Sequence, residues 1–526
     1  ESIAVNVNYA QLFSSNVPFG ARYLPERQQE MRYLVQLRHR NLIPSLPSGL
    51  VSLQNVEVLL ATLLADIEFN TVYDFDSLPL PYRAVAVDLA SGKSELLRNG
   101  RLTHAIRASI AIPGVFAPFR DGTRELVDGG VHQYLPVEPL LEFAPDVIIA
   151  VLTMKRNPET GVSLIDVVSR TTDIVGMADL LRQRAMVDVV IEPNVDPFRH
   201  SDFARARELI AAGESAAVRS LPRIRELLAG RKTISGRRTV THRQRPIVRS
   251  VRFEGLRVTR LALVTRELKT RAGAMLDFKV LVDDIRRLFN TGLFERVDYR
   301  LESFVSGQTD VVIMVEEKAY GFYALGVRYD LLDGVSLGVE VGQGNLYGSG
   351  ASLRTAVTVG NPNEIRLGLA GTRLFWLPFG YRLDAFYGLA EHDFYPAVGG
   401  PFVRYTTRYM GGVAEAGYVL GRDAFFTVGY QGCHATYRGA MPIDTVPPEW
   451  LSGPRFRLEL NTLDDLYLPT RGRWLQTSVI LSREVLGSCQ DFVAGAVSGG
   501  AVLPIASRLL RRRLDRQSTR LHYSHS

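Results

Sequence analysis

The stretch "ASIAIPGVFAPFRDGTRELVDGG" (residues 108–130) decides how the first part of this chain is interpreted. It ends on an aspartate, Asp128, that follows an apolar run and precedes two glycines. Glycines permit a tight turn and let reacting groups approach the backbone without a Cβ in the way, so the pattern is typical of a catalytic carboxylate. An Asp-Gly pair also closes many ordinary hairpins, so the tripeptide alone leaves a purely structural role open.

The surroundings of this stretch favour the catalytic interpretation, because residues 40 to 155 resemble the patatin-like phospholipase family. The resemblance extends upstream to "LPSGL" (46–50), "DFDSLPLPYRAVAVDLASGK" (74–93) and "NGRLTHAIRAS" (99–109). Within the stretch itself, the matching pieces are Ala108-Ser109, Ile112-Pro113-Gly114-Val115-Phe116, Pro118 and Asp128-Gly129-Gly130.

The resemblance implies a two-residue Ser-Asp hydrolase, in which Asp128 accepts the serine proton directly while Gly129 and Gly130 support its turn. It implies no metal and no cofactor. In this family a G-x-S-x-G turn precedes the aspartate, and none occurs in residues 1–127. Gly92-Lys93-Ser94-Glu95-Leu96 fails at its fifth position. We therefore expect the nucleophile to be encoded upstream and the chain as printed to be inactive.

One G-x-S-x-G match exists elsewhere, at Gly334-Val335-Ser336-Leu337-Gly338. It lies within an alternating strand pattern, whereas a nucleophile elbow needs a strand followed by a helix. The sequence therefore predicts that Ser336 is not the nucleophile.

Other residues near Asp128 carry weaker signals. The family usually has Asn where this chain has Tyr134, which affects the local loop. His104 and His132 are expected to be packing or surface residues, because the family needs no histidine. The side chains of Tyr82, Phe116 and Phe119 are expected to pack in the core, with the lining of an acyl pocket as the alternative.

Composition limits the remaining possibilities. With 526 residues, 46% hydrophobic and 22% charged, the chain is long enough for two to four folded domains. The net charge of +7 comes from scattered arginines, and no nucleic-acid partner is expected. Cys433 and Cys489 lack metal-ligand spacing and allow at most one disulfide. No apolar run is long enough for a transmembrane helix, and no signal peptide is visible.

Residues 1–228 mix buried-strand and helical patterns, as an α/β domain does. Strands are predicted within 82–90 and 145–154, and helices within 55–67 and 202–230. Residues 229–245 are predicted to be a basic linker, with contact to anionic head groups as an alternative.

Residues 246–318 have the predicted order β, α, α, β, β and resemble a POTRA domain, a module found on the periplasmic side of outer-membrane barrels. A predicted helix, 278–290, ends beside Gly292. The matching positions are Val251, Phe253, Gly255, Gly292, Phe294, Val297, Val315, Glu317 and Lys318.

Residues 319–505 contain about ten segments in which apolar residues alternate with polar or small ones. This pattern predicts an incomplete outer-membrane β-barrel, with a soluble β-sandwich as the alternative. Asp464, Pro469, Thr470 and Gly472 resemble a segment of POTRA-barrel transporters. Residues 506–526 break the pattern and are predicted to be a non-native or disordered tail.

The predicted fold is therefore multidomain: a patatin-like α/β domain, a small α+β POTRA domain and a partial antiparallel transmembrane β-barrel. This order resembles the single-chain secreted phospholipases of Gram-negative bacteria called type Vd autotransporters. The resemblance implies ester hydrolysis on a phospholipid or another acyl lipid, with the hydrolytic domain at the cell surface or secreted and the POTRA domain in the periplasm. Outer-membrane lipid around the barrel and a possible homodimer are the other implied partners.

Two alternatives remain open. The chain could be an outer-membrane translocation or surface-binding protein whose patatin-like domain is catalytically dead. A short-chain esterase without membrane attachment is the third possibility.

Overall fold

The structure is a computed structural model of the chain. Part of the predicted linker (232–238) and the whole predicted tail lie outside the residues that it describes. The residues outside the description are 1, 16, 18, 22–23, 25–34, 41, 46–48, 50, 156–170, 172–173, 175, 178, 200–201, 232–238, 332, 373–378, 395–402, 440–446, 466–468 and 504–526.

A four-stranded antiparallel sheet organises the N-terminal domain, with the strand order β4-β3-β6-β5. All five residues of β3 are buried, as its apolar sequence predicts. A separate pair, β7 and β8, runs parallel. The strands are β3 (Ala84–Asp88), β4 (Ser94–Leu97), β5 (Phe119–Asp121), β6 (Arg124–Asp128), β7 (Ile149–Val151) and β8 (Val189–Ile191).

Five helices of the N-terminal domain have described bounds, and they include the two predicted from periodicity. None of the helices in the described part of the chain is long and apolar enough to cross a membrane. The five are α1 (Ser2–Asn6), α2 (Tyr9–Leu12), α3 (Gln54–Asn70), α4 (Leu102–Ser109) and α5 (Ala206–Leu228).

The POTRA region has the predicted order, because strand β9 is followed by two helices and then by β10 and β11. The sheet order is β10-β11-β9, so β10 forms an edge. The N-cap of the second helix is Asp277, whose carboxylate accepts the N–H of Lys279 at 2.8 Å. The elements are β9 (Ile247–Glu254), α6 (Leu261–Thr265), α7 (Phe278–Asn290), β10 (Phe294–Val305) and β11 (Gln308–Glu317).

The C-terminal region contributes ten consecutive antiparallel strands to a twelve-stranded sheet, in agreement with the sequence-based count. Over the described residues the sheet does not close on itself. The ten strands are β12 (Gly321–Asp330), β13 (Gly334–Leu346), β14 (Ala351–Val359), β15 (Asn363–Gly371), β16 (Phe379–Phe394), β17 (Val403–Leu420), β18 (Ala424–Gly439), β19 (Glu449–Asn461), β20 (Gly472–Ser482) and β21 (Phe492–Val502).

The other two strands of this sheet come from the N-terminal region and cross the predicted domain boundary. The hairpin β1 (Val35–Arg40) and β2 (Ile43–Ser45) extends the sheet, with β1 antiparallel to β12. The buried His39 ring packs where a Cβ on Gly321 would stand, and it lies 4.4 Å from the Tyr323 ring. The glycine makes this close approach possible.

The strands of the large sheet expose apolar side chains and bury polar ones. In β13 the apolar side chains of Val335, Leu337 and Val339 are exposed, whereas Ser336 and Glu340 are each only 2% exposed. A soluble sheet would bury the apolar face, so the arrangement disfavours the β-sandwich alternative.

Gly255 provides a stability test of the POTRA region. Its φ is +91°, and a Cβ there would overlap the carbonyl oxygen of Val315. We expect Gly255→Ala to lower the free energy of unfolding of this region by about 2–5 kcal/mol, from backbone strain and overpacking together. Hydrogen exchange of the β9–β11 amides in the full chain measures the effect.

Gly273→Ala is the matched control, because Gly273 also has a positive φ, +84°, but nothing lies within 4 Å of its Cβ position. It should cost only the strain of about 1–2 kcal/mol. Equal losses for the two variants would contradict the steric argument.

Candidate functional site

Asp128 lies at the end of β6, opposite Ala86 of β3. Its backbone N–H donates to the carbonyl oxygen of Ala111 at 3.0 Å. Its Oδ1 accepts the N–H of Gly130 at 2.8 Å. Among the described residues, no side chain forms an ion pair with this carboxylate, and its Oδ2 has no hydrogen-bond partner. The second oxygen is therefore available to accept a proton.

Packing requires a glycine at position 129 and leaves little room for a Cβ at position 130. A Cβ on Gly129 would stand 2.5 Å from the carbonyl oxygen of Val85, and one on Gly130 would stand 3.1 Å from Oδ1 of Asp128. Gly129 thus lets β6 end directly against β3, and Gly130 leaves space beside the carboxylate. The supporting role in catalysis expected of Gly129 and Gly130 stays a prediction.

Burial raises the pKa of Asp128, while the N–H of Gly130 acts in the opposite direction. A raised folded-state pKa means that the ionised carboxylate destabilises the fold at any pH above that pKa. We therefore expect Asp128→Asn to raise the thermal unfolding midpoint at neutral pH. The gain should shrink as the pH falls through the raised pKa, because the wild-type carboxyl is then neutral as well. A lower midpoint for the variant at neutral pH would contradict the assignment.

Helix α4 leads into the turn that holds Asp128. Its buried residue Arg107 donates to the carbonyl oxygens of Ser52 (3.0 Å) and Ala117 (2.7 Å), and it lies 3.5 Å from a carboxylate oxygen of Glu57. These contacts hold residues 110–117 against the start of α3. This segment includes Ile112-Pro113-Gly114, which resembles the family sequence.

The two histidines near Asp128 in sequence have separate partners. His104 Nε2 lies 2.6 Å from Asp298 of the POTRA region, and its ring packs 5.0 Å from the Phe119 ring. His132 Nδ1 lies 2.9 Å from the hydroxyl of Ser94. No local sequence pattern predicts either contact, because the partners come from distant segments.

The three aromatic residues expected to pack in the core, with an acyl pocket as the alternative, lie in different places. Phe119 is buried with Ala86 and Leu126, and Tyr82 packs against the Phe75 ring at 5.9 Å. Both therefore pack in the core. The half-buried Phe116 lies 5.9 Å from Phe13 in a cluster that also contains Tyr9 and Phe203.

Two further predictions concern Tyr134 and Ser336. Tyr134 packs against the apolar cluster that contains Leu135 and Val137, so this loop residue has a structural role. Ser336 is a buried residue of β13 and donates to the carbonyl oxygen of Asn361 at 3.1 Å, in a strand rather than at an elbow. No cluster of potential metal ligands occurs among the described residues.

Two family descriptions match separate parts of the chain. Residues 4–141 match the patatin-like phospholipase family, and residues 246–318 match the POTRA family, described as a surface antigen variable number repeat. The first match contains Asp128, and the second has the bounds predicted for the POTRA domain.

Similar curated proteins belong to the NTE family of mycobacteria. An uncharacterized NTE family protein of Mycobacterium tuberculosis strain H37Rv is 51% identical over 76 residues, which are 14% of this chain and 21% of that protein. Another from the same strain is 26% identical over 173 residues, 28% of this chain and 30% of that protein. This chain thus spans about a fifth to a third of the length of these relatives.

Among solved structures, the chain is similar to BamA from Haemophilus ducreyi lacking POTRA domains 1–3, with 19% identity, 59% of this chain and 62% of that chain covered and a TM-score of 0.44. CdiB from Acinetobacter baumannii has 12% identity, coverage of 70% and 68%, and a TM-score of 0.32. The two family matches show that this chain joins a patatin-like phospholipase domain, residues 4–141, to a POTRA domain, residues 246–318.

Proposed function

We propose that the N-terminal domain is a lipid acyl hydrolase of the phospholipase A type, with Asp128 as proton acceptor. The observation that carries this proposal is the state of the Asp128 carboxylate. Burial raises its pKa, one oxygen is oriented by Gly130, and the other has no partner among the described residues. A general base needs a pKa moved toward the working pH and an accessible lone pair.

In the proposed reaction a serine Oγ attacks the ester carbonyl carbon while its proton moves to Oδ2 of Asp128. The bond to the leaving alcohol then breaks, and Asp128 returns the proton to that alcohol. Water, deprotonated by the same carboxylate, then attacks the acyl-serine. The bond from the acyl carbon to the serine Oγ breaks, Asp128 returns the proton to Oγ, and the fatty acid is released. Because no G-x-S-x-G occurs in residues 1–127, we propose that this serine lies on sequence upstream of Glu1.

The second part of the proposal is that the POTRA domain and the large sheet form an export or display module in a Gram-negative outer membrane. The exposed apolar face of the sheet supports it, because such a face is stable against lipid and not against water. The hydrolytic domain would act at the cell surface or after secretion, and the POTRA domain would stay in the periplasm.

The absence of a G-x-S-x-G segment from residues 1–127 also leaves a second candidate function. If no upstream elbow exists, the N-terminal domain is catalytically dead, and the protein is a translocation or surface-binding module. The only G-x-S-x-G serine in the printed sequence, Ser336, is buried in β13 and cannot replace the nucleophile.

Release of fatty acid from phospholipid vesicles tests the proposal. Residues 1–526 should be inactive, whereas the extended protein, meaning this chain with its upstream coding sequence, should hydrolyse the lipid. Activity of residues 1–526 alone would contradict the assignment of the nucleophile. Inactivity of both proteins would favour the dead-domain alternative.

A further inference from the structure

The N-terminal domain covers the open edge of the POTRA sheet. Strand β10 is paired only with β11, so its outer backbone groups need other partners. The side-chain amide of Gln54, the first residue of α3, donates to the carbonyl oxygen of Val297 and accepts its N–H, both at 2.9 Å. Gln54 is 1% exposed, so a single amide replaces a strand partner at this edge.

A buried charge cluster lies next to this contact, and Asp298 of β10 is its centre. The Asp298 carboxylate forms ion pairs with Arg101 and with Arg296 (3.2 Å), in addition to the contact with His104. Arg101 also donates to the carbonyl oxygen of Tyr299 at 3.0 Å, and its guanidinium lies 4.0 Å from the centre of that ring.

The charges compensate one another across the domain boundary. Burial by itself would raise the pKa of Asp298, but His104, Arg101 and Arg296 together hold that pKa well below its usual value. Two of these three partners come from the N-terminal domain. Removal of one member of such a buried cluster leaves uncompensated charge, which is strongly destabilising.

The cluster is connected to Asp128 through one short helix. Arg101 is the N-cap residue of α4, and the next turn is fixed by Glu68, whose carboxylate accepts the N–H of Thr103 at 2.6 Å. The chain leaves α4 at Ser109, and two residues later the carbonyl oxygen of Ala111 accepts the N–H of Asp128. The path from Asp298 to the proposed base therefore consists of two side-chain contacts, a helix and a backbone hydrogen bond.

We propose that Asp298 is a positioning residue for Asp128. The POTRA domain would then act in cis as the platform that holds the turn at residues 128–130 of the hydrolytic domain. The functional meaning of this role rests on the proposed function of Asp128. The physical coupling does not, because it concerns only the order of α4 and of the turn at residues 128–130.

Hydrogen exchange of the full chain tests the coupling without any need for activity. In Asp298→Asn, the amides of α4 and of Asp128 should exchange faster by roughly tenfold or more, since Arg101 and His104 lose a buried anionic partner. Asp298→Glu keeps the charge and should restore most of the protection. Gln54→Ala is a milder variant of the same interface and serves as the test if Asp298→Asn fails to fold. It should accelerate exchange of the same amides.

Asp310→Asn is the matched control. Asp310 is a buried aspartate of the neighbouring strand β11, but its partners, Arg249 and Ser250, belong to the POTRA domain itself. This variant should accelerate exchange in the POTRA sheet and leave α4 and Asp128 unchanged. The proposal is overturned if Asp298→Asn leaves α4 and Asp128 as protected as in the wild type, or if Asp310→Asn exposes them equally.

The hydrogen-exchange experiment and the hydrolysis assay distinguish failure of the coupling from failure of the proposed function. If the exchange results hold while the extended protein shows no lipid hydrolysis, the coupling stands and the proposed function fails. If hydrolysis is present and exchange at Asp128 does not respond to Asp298, the function stands and the platform role fails.

Discussion

Asp128→Asn should lower kcat/KM for ester hydrolysis by the extended protein by about 10²–10⁴-fold, the contribution typical of a positioned general base. Asn keeps the size of the side chain and can still accept the N–H of Gly130 through its amide oxygen. It cannot take the proton from the serine. The loss should therefore appear mainly in kcat, with substrate binding little changed.

Asp88→Asn is the matched control for this substitution. Asp88 ends the neighbouring strand β3, is 8% exposed, and accepts the hydroxyl of Ser91 at 2.7 Å, so it is, like Asp128, a strand-end carboxylate of this sheet. It has no part in the proposed reaction, and its replacement should leave kcat/KM nearly unchanged. Similar losses for both variants would indicate a general effect on folding.

Gly129→Ala should have the second-largest effect, because it affects both stability and activity. The new Cβ would stand 2.5 Å from the carbonyl oxygen and 3.0 Å from the Cβ of Val85, so β6 and β3 must separate at the position of Asp128. We expect a loss of about 1–3 kcal/mol in the free energy of unfolding. Displacement of the base by about 1 Å should lower hydrolysis by the extended protein on the order of 10²-fold.

Gly213→Ala controls for the loss of glycine itself. Gly213 lies inside α5, and nothing lies within 4 Å of its Cβ position. An alanine there should be neutral or stabilising by up to about 1 kcal/mol. Thermal unfolding and ester hydrolysis measure both variants. A Gly129→Ala protein as stable and active as Gly213→Ala would refute the packing argument.

Local patterns in the sequence predict much of the fold. The helix predicted at 278–290 is Phe278–Asn290 in the structure, because its apolar face, its Asp277 cap and Gly292 all favour one helix. Alternation with period two predicts the ten strands after residue 319, because neighbouring residues of a strand face opposite sides. The turn at Asp128 follows in the same way from its two glycines.

Contacts between distant segments could not be predicted from such patterns. The β1 hairpin joins β12, almost 300 residues later in the chain, through backbone hydrogen bonds that carry no side-chain signature. Gln54, Arg101 and Asp298 look like ordinary polar surface residues in the sequence, and only the packing of the two domains buries them together. The contact between Ser94 and His132 also joins segments that are distant in the sequence, and no local pattern predicts it.

The most direct test of the central claim is covalent labelling of the extended protein with a fluorophosphonate, which reacts with activated serines, followed by mass-spectrometric mapping. We predict a single labelled serine, in a G-x-S-x-G segment upstream of Glu1, and a labelling rate that falls by orders of magnitude in Asp128→Asn. Label on Ser94 or on any other serine within residues 1–526 would contradict the account. So would an unchanged labelling rate when the carboxylate of Asp128 is replaced.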